Sequence, residues 1–191
     1  PVHGTVSLAV ADAVLFGEEA GDVFGGVSDT PGDIDGDGYD DLVITASGND
    51  GGGSEAGANY IYYGPLFGSL DATAADAKLT GEVAGDRLNR PAIGDINNDG
   101  YDDVLVGAVG PDAQNHDHRA QLVYGPILGD LDLAVADAEI QGEDSLDRAG
   151  KVAMVGDVDD DGVHDFIICD HRNDDGGTDA GKVYLFYGHG L

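Results

Sequence analysis

The chain has 191 residues and sets 38 acidic side chains against 8 basic ones, a formal charge of −30. That balance excludes nucleic acid as a partner and disfavours an anionic membrane surface, because both are bound through clustered Lys and Arg. An apolar content of 41% with recurrent strand-like runs argues against disorder, and no apolar run nears the roughly 18 residues needed to insert across a bilayer.

In chain order, a piece reading LAVADA (8–13) predicts a helical turn rather than a helix, since no sustained 3.6-residue period follows it. The short β-branched and aromatic runs bounded by Gly and Asp then read as strands. AVLFG (13–17) is the first and is labelled d. Next come a (VFGGVS, 23–28), the acidic stretch GDIDGDGYDDLVI (32–44), b (DLVITA, 41–46), c (NYIYYG, 59–64) and d (AKLTG, 77–81). A second set follows: a (RPAIG, 90–94), GDINNDGYDDVLV (94–106), b (DVLVGA, 103–108), c (QLVYG, 121–125) and d (AEIQG, 138–142). The third set has a (KVAMVG, 151–156), GDVDDDGVHDFII (156–168), b (DFIIC, 165–169) and c (KVYLFYG, 182–188), with no d after it.

The sets are internal repeats. Asp33, Asp95 and Asp157 lie 62 residues apart, and Gly-Glu, Ala-Asp-Ala and Tyr-Gly landmarks keep step with them. Four short antiparallel strands at this period predict an all-β fold, a β-propeller built of four-stranded blades, three per chain, with strand d displaced to the N-terminus. The expected division is 1–18 as outer strand d of a preceding or neighbouring blade, 19–82 as blade unit 1, 83–143 as unit 2, and 144–191 as unit 3 lacking its own d. A blade without its outer strand has an open edge. Two partners suit that edge: another copy of this chain, two copies giving six blades, or further blades of a longer parent chain. Because the sequence starts at Pro1 rather than Met, an upstream segment is expected.

The acidic stretches carry the chemistry. The spacing D-x-D-x-D-G-x-x-D offers side-chain oxygens at loop positions 1, 3, 5 and 9, a Gly for the sharp turn at 6, and a carbonyl at 7. The predicted metal ligands are Asp33, Asp35, Asp37, the Tyr39 carbonyl and Asp41; then Asp95, Asn97, Asp99, the Tyr101 carbonyl and Asp103; then Asp157, Asp159, Asp161, the Val163 carbonyl and Asp165. Oxygen-only donors on a tight loop suit Ca²⁺ over Zn²⁺, and over Mg²⁺, which demands octahedral geometry and keeps its waters. Three Ca²⁺ per chain would bring the charge from −30 to −24. Asn97 removes one charge, so the second site is expected to bind more weakly. An EF-hand is excluded, because it needs a bidentate Glu at position 12, where Ile44, Val106 and Ile168 stand. An acidic β-turn holding no ion is the competing reading of any one copy.

These loops, with Gly21-Asp22-Val23-Phe24-Gly25 ahead of the first and Gly107-Ala108-Val109-Gly110-Pro111 after the second, resemble FG-GAP repeats, the blades of the integrin α-subunit β-propeller. Copies two and three read GDRLN and LDRAG where the first has its Phe-Gly pair. The resemblance implies a propeller fold, Ca²⁺ in the a–b loops, an extracellular or cell-surface place, and a protein or glycan ligand on the opposite face. That face would be formed by the b–c loops 47–57, 109–119 and 170–180, which read as long and unlike one another.

No nucleophile–base constellation is visible, so no catalytic residue is assigned. His116 and His118 offer two metal ligands without an evident third, and Cys169, the sole cysteine, reads as a small core residue. The expected function is a Ca²⁺-binding recognition or adhesion scaffold. The alternatives are a non-catalytic module of a larger secreted enzyme and a self-assembling structural ring.

Overall fold

The computed structural model describes residues 5–27, 31–110, 118–143 and 149–188. Fourteen strands run in chain order: β1 (Ala13–Phe16), β2 (Phe24–Val27), β3 (Leu42–Ala46), β4 (Ala58–Tyr62), β5 (Gly68–Asp71), β6 (Ala77–Thr80), β7 (Ala92–Gly94), β8 (Asp103–Ala108), β9 (Arg119–Val123), β10 (Gly129–Asp132), β11 (Ala138–Gln141), β12 (Ala149–Gly156), β13 (Asp165–Asp170) and β14 (Lys182–Phe186). The fold is all-β. Blade 1 is the antiparallel run β2-β3-β4-β6, blade 2 is β7-β8-β9-β11, and blade 3 is β12-β13-β14. The predicted strands a, b, c and d fall on these elements with their ends shifted by one or two residues.

The strands are short because each apolar run is cut by Gly or Asp, and β3, β4, β8 and β9 are buried on both faces because both sides of blades 1 and 2 are covered. Val43, Ile61 and Leu79 of blade 1 meet Ile93, Val104 and Val106 of blade 2 in one core. Leu105, Ala120 and Leu122 of blade 2 meet Phe166 and Ile168 of blade 3 in a second, where the Phe166 and Phe186 rings stack at 5.0 Å. A third cluster, with Ile44, Tyr60 and Tyr62, covers the opposite side of blade 1 and packs against Leu15 and Leu70. Fully burying one such aliphatic side chain stabilises by roughly 1.5–3 kcal/mol.

Two strands were not predicted. β5 and β10 lie in the c–d connections and pair parallel with the outer strand of the repeat before, β5 with β1 and β10 with β6. Their sequences, GSLD and GDLD, hold one apolar residue in four, too few for an alternation to show. The blade 1 sheet consequently has five strands rather than four.

The LAVADA pieces do form turns, each a three-residue 3₁₀ helix. Each is capped by a Ser or Asp side chain accepting an amide two residues on: Ser7 from Ala9, Asp71 from Thr73, and Asp132 from Ala134.

The b–c loops correct another expectation, because the first and third are alike. Asn49 and Asn173 carbonyls accept the amides of Gly57 and Gly181 at 2.8 and 3.0 Å. Asp50 and Asp174 Oδ1 accept those of Glu55 and Asp179 at 2.7 and 2.8 Å. The second loop falls largely on 111–117, outside the described residues, as do His116 and Asp117; His118 is buried. Cys169 is half-buried on the outward side of blade 3 rather than in the core.

Candidate metal centre

Each acidic loop joins the first two strands of a blade, and a buried carboxylate at the start of the second strand holds it in place. Asp41 Oδ2 accepts the Ile34 amide at 2.7 Å, and its Oδ1 accepts that of Gly64 at 2.9 Å. Asp103 does the same for Ile96 and Gly125, at 2.9 and 3.0 Å, and Asp165 for Val158 and Gly188, at 2.6 and 3.1 Å. One side chain therefore clasps the loop, strand b and the end of strand c. The residue ending the aromatic strand must be small for this. A Cβ on Gly64 would stand 2.5 Å from the Asp40 carbonyl, and one on Gly125 would stand 2.7 Å from that of Asp102.

Burial makes this clasp costly for a charge. It raises the Asp41 pKa above the ordinary carboxylate value, against the help of the Gly64 and Ile34 amides. It pushes that of Asp103 up to about 6, with Asp99 and Asp95 adding repulsion.

The loop itself is wound by side chains accepting nearby amides. Asp33 Oδ2 takes Gly38 N at 2.9 Å, Asp35 Oδ1 takes Asp37 N at 3.1 Å, and Asp37 Oδ1 takes Tyr39 N at 2.9 Å. In the second loop Asp95 takes Asp99 and Gly100, Asn97 takes Asp99, and Asp99 takes Tyr101. In the third, Asp157 takes Asp161 and Gly162, and Asp161 takes Val163. The fourth position is left-handed in all three, at Gly36 (φ 78°), Asn98 (59°) and Asp160 (64°). These are the residue types that tolerate that region.

This winding turns carboxylates toward one another. Oxygens of Asp33, Asp35 and Asp37 lie within 4.8 Å of each other, as do those of Asp157, Asp159 and Asp165. The second loop brings no such trio together among the described residues. There the Asn97 side-chain amide donates to Asp99 Oδ2 at 3.0 Å, taking up one acceptor internally. Asp33 Oδ1 is buried and accepts no hydrogen bond. An orphaned oxygen on a carboxylate grouped with two more, with oxygen the only donor, fits a hard divalent cation. Of the clasping carboxylates, Asp165 stands in such a trio, whereas Asp41 and Asp103 do not and accept one amide on each oxygen. Tyr39 stands exposed on the first loop, whereas Val163 is buried on the third.

Sequence reasoning missed the residue at position 8. Asp102 Oδ2 accepts the Asp33 amide of the blade before at 2.8 Å, and the Asp102 amide donates to the Asp33 carbonyl at 3.0 Å. His164 N donates likewise to the Asp95 carbonyl at 3.2 Å. Tyr101 also packs on Gly36, where a Cβ would stand 2.5 Å from Cε1. The first and second loops are thus braced by the next blade. The signal was the polar residue beside the clasping Asp, in YDD and VHD.

On the opposite face, buried Arg119 bonds Asp86 at 2.8 Å and Glu82 at 3.1 Å, tying strand c of blade 2 to the link between blades 1 and 2. Among the described residues, no helix is long and apolar enough to cross a membrane.

The FG-GAP-like repeat family matches residues 33–106, from the first acidic loop through the second blade's strand b. Phosphatidylinositol-glycan-specific phospholipase D of Rattus norvegicus is 31% identical over 166 residues, covering 82% of this chain and 20% of that protein. Integrin alpha pat-2 of Caenorhabditis elegans is 29% identical over 181 residues, covering 85% of this chain and 14% of that protein. Integrin alpha-PS5 of Drosophila melanogaster is 36% identical over 97 residues, half of this chain. The chain therefore spans about a fifth or less of the length of these relatives. With matching loops and strands on both sides of the family match, this protein is a run of FG-GAP-like, integrin α-subunit-like β-propeller blades.

Proposed function

We propose that the chain is a Ca²⁺-stabilised, non-catalytic propeller segment that serves as an extracellular recognition or adhesion scaffold. The observation that carries the reading is the acidic loop built three times on one plan, with a buried, unpartnered oxygen on Asp33, whose carboxylate is grouped with those of Asp35 and Asp37. Ca²⁺ would take Asp33, Asp35, Asp37 and Asp41 in the first loop and their counterparts in the others. It would relieve their mutual repulsion and fasten strand a to strand b. Recognition would then belong to the opposite face, where the first and third b–c loops repeat one hydrogen-bonded shape.

Calorimetric titration of Ca²⁺ into chelator-treated protein tests this. Saturating ion at about 100 times its dissociation constant should add roughly 2.7 kcal/mol per site and raise the melting temperature. The second site should be the weakest, and Asn97→Asp should tighten it, since a fourth carboxylate replaces the internal amide bond. A melting temperature unmoved by chelator at low salt sinks the calcium reading.

A second reading is favoured by one observation: the phospholipase D matched here is covered over only 20% of its length. The chain would then be a propeller module carried by a larger enzyme. The full-length coding sequence decides between them.

A further inference from the structure

The residue at position 8 of an acidic loop stands between two of that loop's own predicted ligands and touches the loop before it. Asp102 follows Tyr101, whose carbonyl belongs to the second loop, and precedes Asp103, which clasps that loop. Side chain and backbone of Asp102 both close on Asp33. Its Oδ2 accepts the Asp33 amide at 2.8 Å, and its amide donates to the Asp33 carbonyl at 3.0 Å. Asp33 is in turn the position-1 ligand of the first loop and carries the buried oxygen that accepts no hydrogen bond.

The contact leaves no room to slide. A Cβ on Gly32 would stand 2.6 Å from Asp102 Oδ2, and the Tyr101 ring lies on Gly36. From Gly32 to Gly36 the first loop rests on the second, so a change of shape in either displaces the other. The second and third loops meet through part of the same arrangement. The His164 amide donates to the Asp95 carbonyl at 3.2 Å, and a Cβ on Gly94 would stand 3.3 Å from His164 Cγ. An imidazole replaces the carboxylate there, and Asn98 and Val163 stand where Gly36 and Tyr101 do.

We propose that the acidic loops bind their cations in series rather than independently, each occupied loop raising the affinity of its neighbour through the residue at position 8, most strongly across Asp102 and Asp33. This rests on the Ca²⁺ reading of the loops and adds a regulation to it. A second loop held in its bound shape fixes Tyr101 and Asp103, and with them Asp102. Asp102 then fixes the amide and carbonyl of Asp33, so the first loop loses less freedom when it closes on its own cation. Such coupling is reciprocal, and the factor is typically about 5–150-fold. With Asn97 in place of a carboxylate the second loop fills after the first, and so displays the whole factor. Neighbouring blades would then stiffen together over a narrow range of Ca²⁺.

Ca²⁺ titration of the ¹⁵N-labelled chain in chelator-buffered solution at about 0.15 M salt, where charges beyond roughly 8 Å are screened, reads the loops separately. The reporters are the amides of Gly38, Gly100 and Gly162, which donate to Asp33, Asp95 and Asp157. Asp37→Ala, which disables the first loop away from the Asp33–Asp102 contact, should raise the Gly100 midpoint at least about fivefold and the Gly162 midpoint less than about twofold. In an Asp102→Ala background the same substitution should leave the Gly100 midpoint unmoved. Asp102→Asn, which keeps the accepting oxygen, should restore the shift. A Gly100 midpoint indifferent to Asp37→Ala, or a Gly162 midpoint moved as far, overturns the coupling whether or not Asp102→Ala folds. A shift that survives in folded Asp102→Ala overturns the role of Asp102. If none of the three glycine amides responds to millimolar Ca²⁺, the calcium reading itself fails, and the coupling with it.

Discussion

Blade 1 and blade 3 are written in nearly the same code but sit in different surroundings. Ile61 and Leu185 occupy the same place in strand c, three residues before the closing Gly; the first is sealed against blade 2 and the second faces outward. The clasping carboxylates, by contrast, are equivalent: Asp41 and Asp165 each take two amides within their own blade. In this array the clasp is local to a blade, and apolar burial is lent by the neighbour. Repeat proteins generally divide their stability into unit and interface terms in this way.

The sharpest way to break that comparison is through the clasp, which predicts equal local damage wherever it is removed. Asp103→Ala should leave the Ile96 and Gly125 amides without their acceptor and cost about 3 kcal/mol or more, since hydrogen bonds to charged groups contribute roughly 1.5–3 kcal/mol each. Asp165→Ala should cost a similar amount locally but loosen blade 3 ahead of the rest. Urea unfolding followed by hydrogen exchange separates the two patterns. A loss below 1 kcal/mol for Asp103→Ala would mean that the carboxylate is not the fastener described.

The interface term comes next in size. Ile61→Ala removes a fully buried side chain between blades 1 and 2 and should cost about 2–4 kcal/mol. Leu185→Ala, at a part-exposed position, should cost under about 1 kcal/mol. Equal costs for the two would erase the distinction between a shared and an open blade face.

How much of this was legible follows the same division. The loops were readable because their chemistry is local: alternating Asp, Gly at the sixth position, and a strand beginning at the ninth are all written within thirteen residues. The four strands of each blade were readable because Val, Ile and Tyr cluster between Gly and Asp. What stayed hidden depends on the neighbouring repeat. β5 and β10 each bring a single apolar residue to the cores, Leu70 and Leu131, so GSLD and GDLD carry no alternation to read. The bracing of Asp33 by Asp102 spans 69 residues and shows no pattern until the blades are stacked. The likeness of the first and third b–c loops was obscured only by Gly51, Ser54 and Glu55 standing where Asp175, Thr178 and Asp179 do. The hydrogen bonds depend on the shared Asn-Asp start and Gly end.

The smallest expected effect is on proton binding and concerns the tyrosines of blade 1. Burial, more than the nearby carboxylates, pushes Tyr62 and Tyr63 up to about 12. Tyr60 is raised further, by burial and by its hydrogen bond to Glu18. A phenol whose folded pKa lies above its unfolded value near 10 favours the native state for as long as it is neutral. That contribution is whole below pH 10 and is lost as the pH climbs through 12. Absorbance at 295 nm should therefore show fewer than the full eight tyrosines ionising near pH 10, the remainder appearing together with loss of β-sheet signal. Adding Tyr62→Phe and Tyr63→Phe should reduce the late amplitude and leave the early one intact. If all eight ionise by pH 11 with the fold retained, strand c of blade 1 is no more sheltered than β14, and the contrast between the two blades fails at its best-buried point.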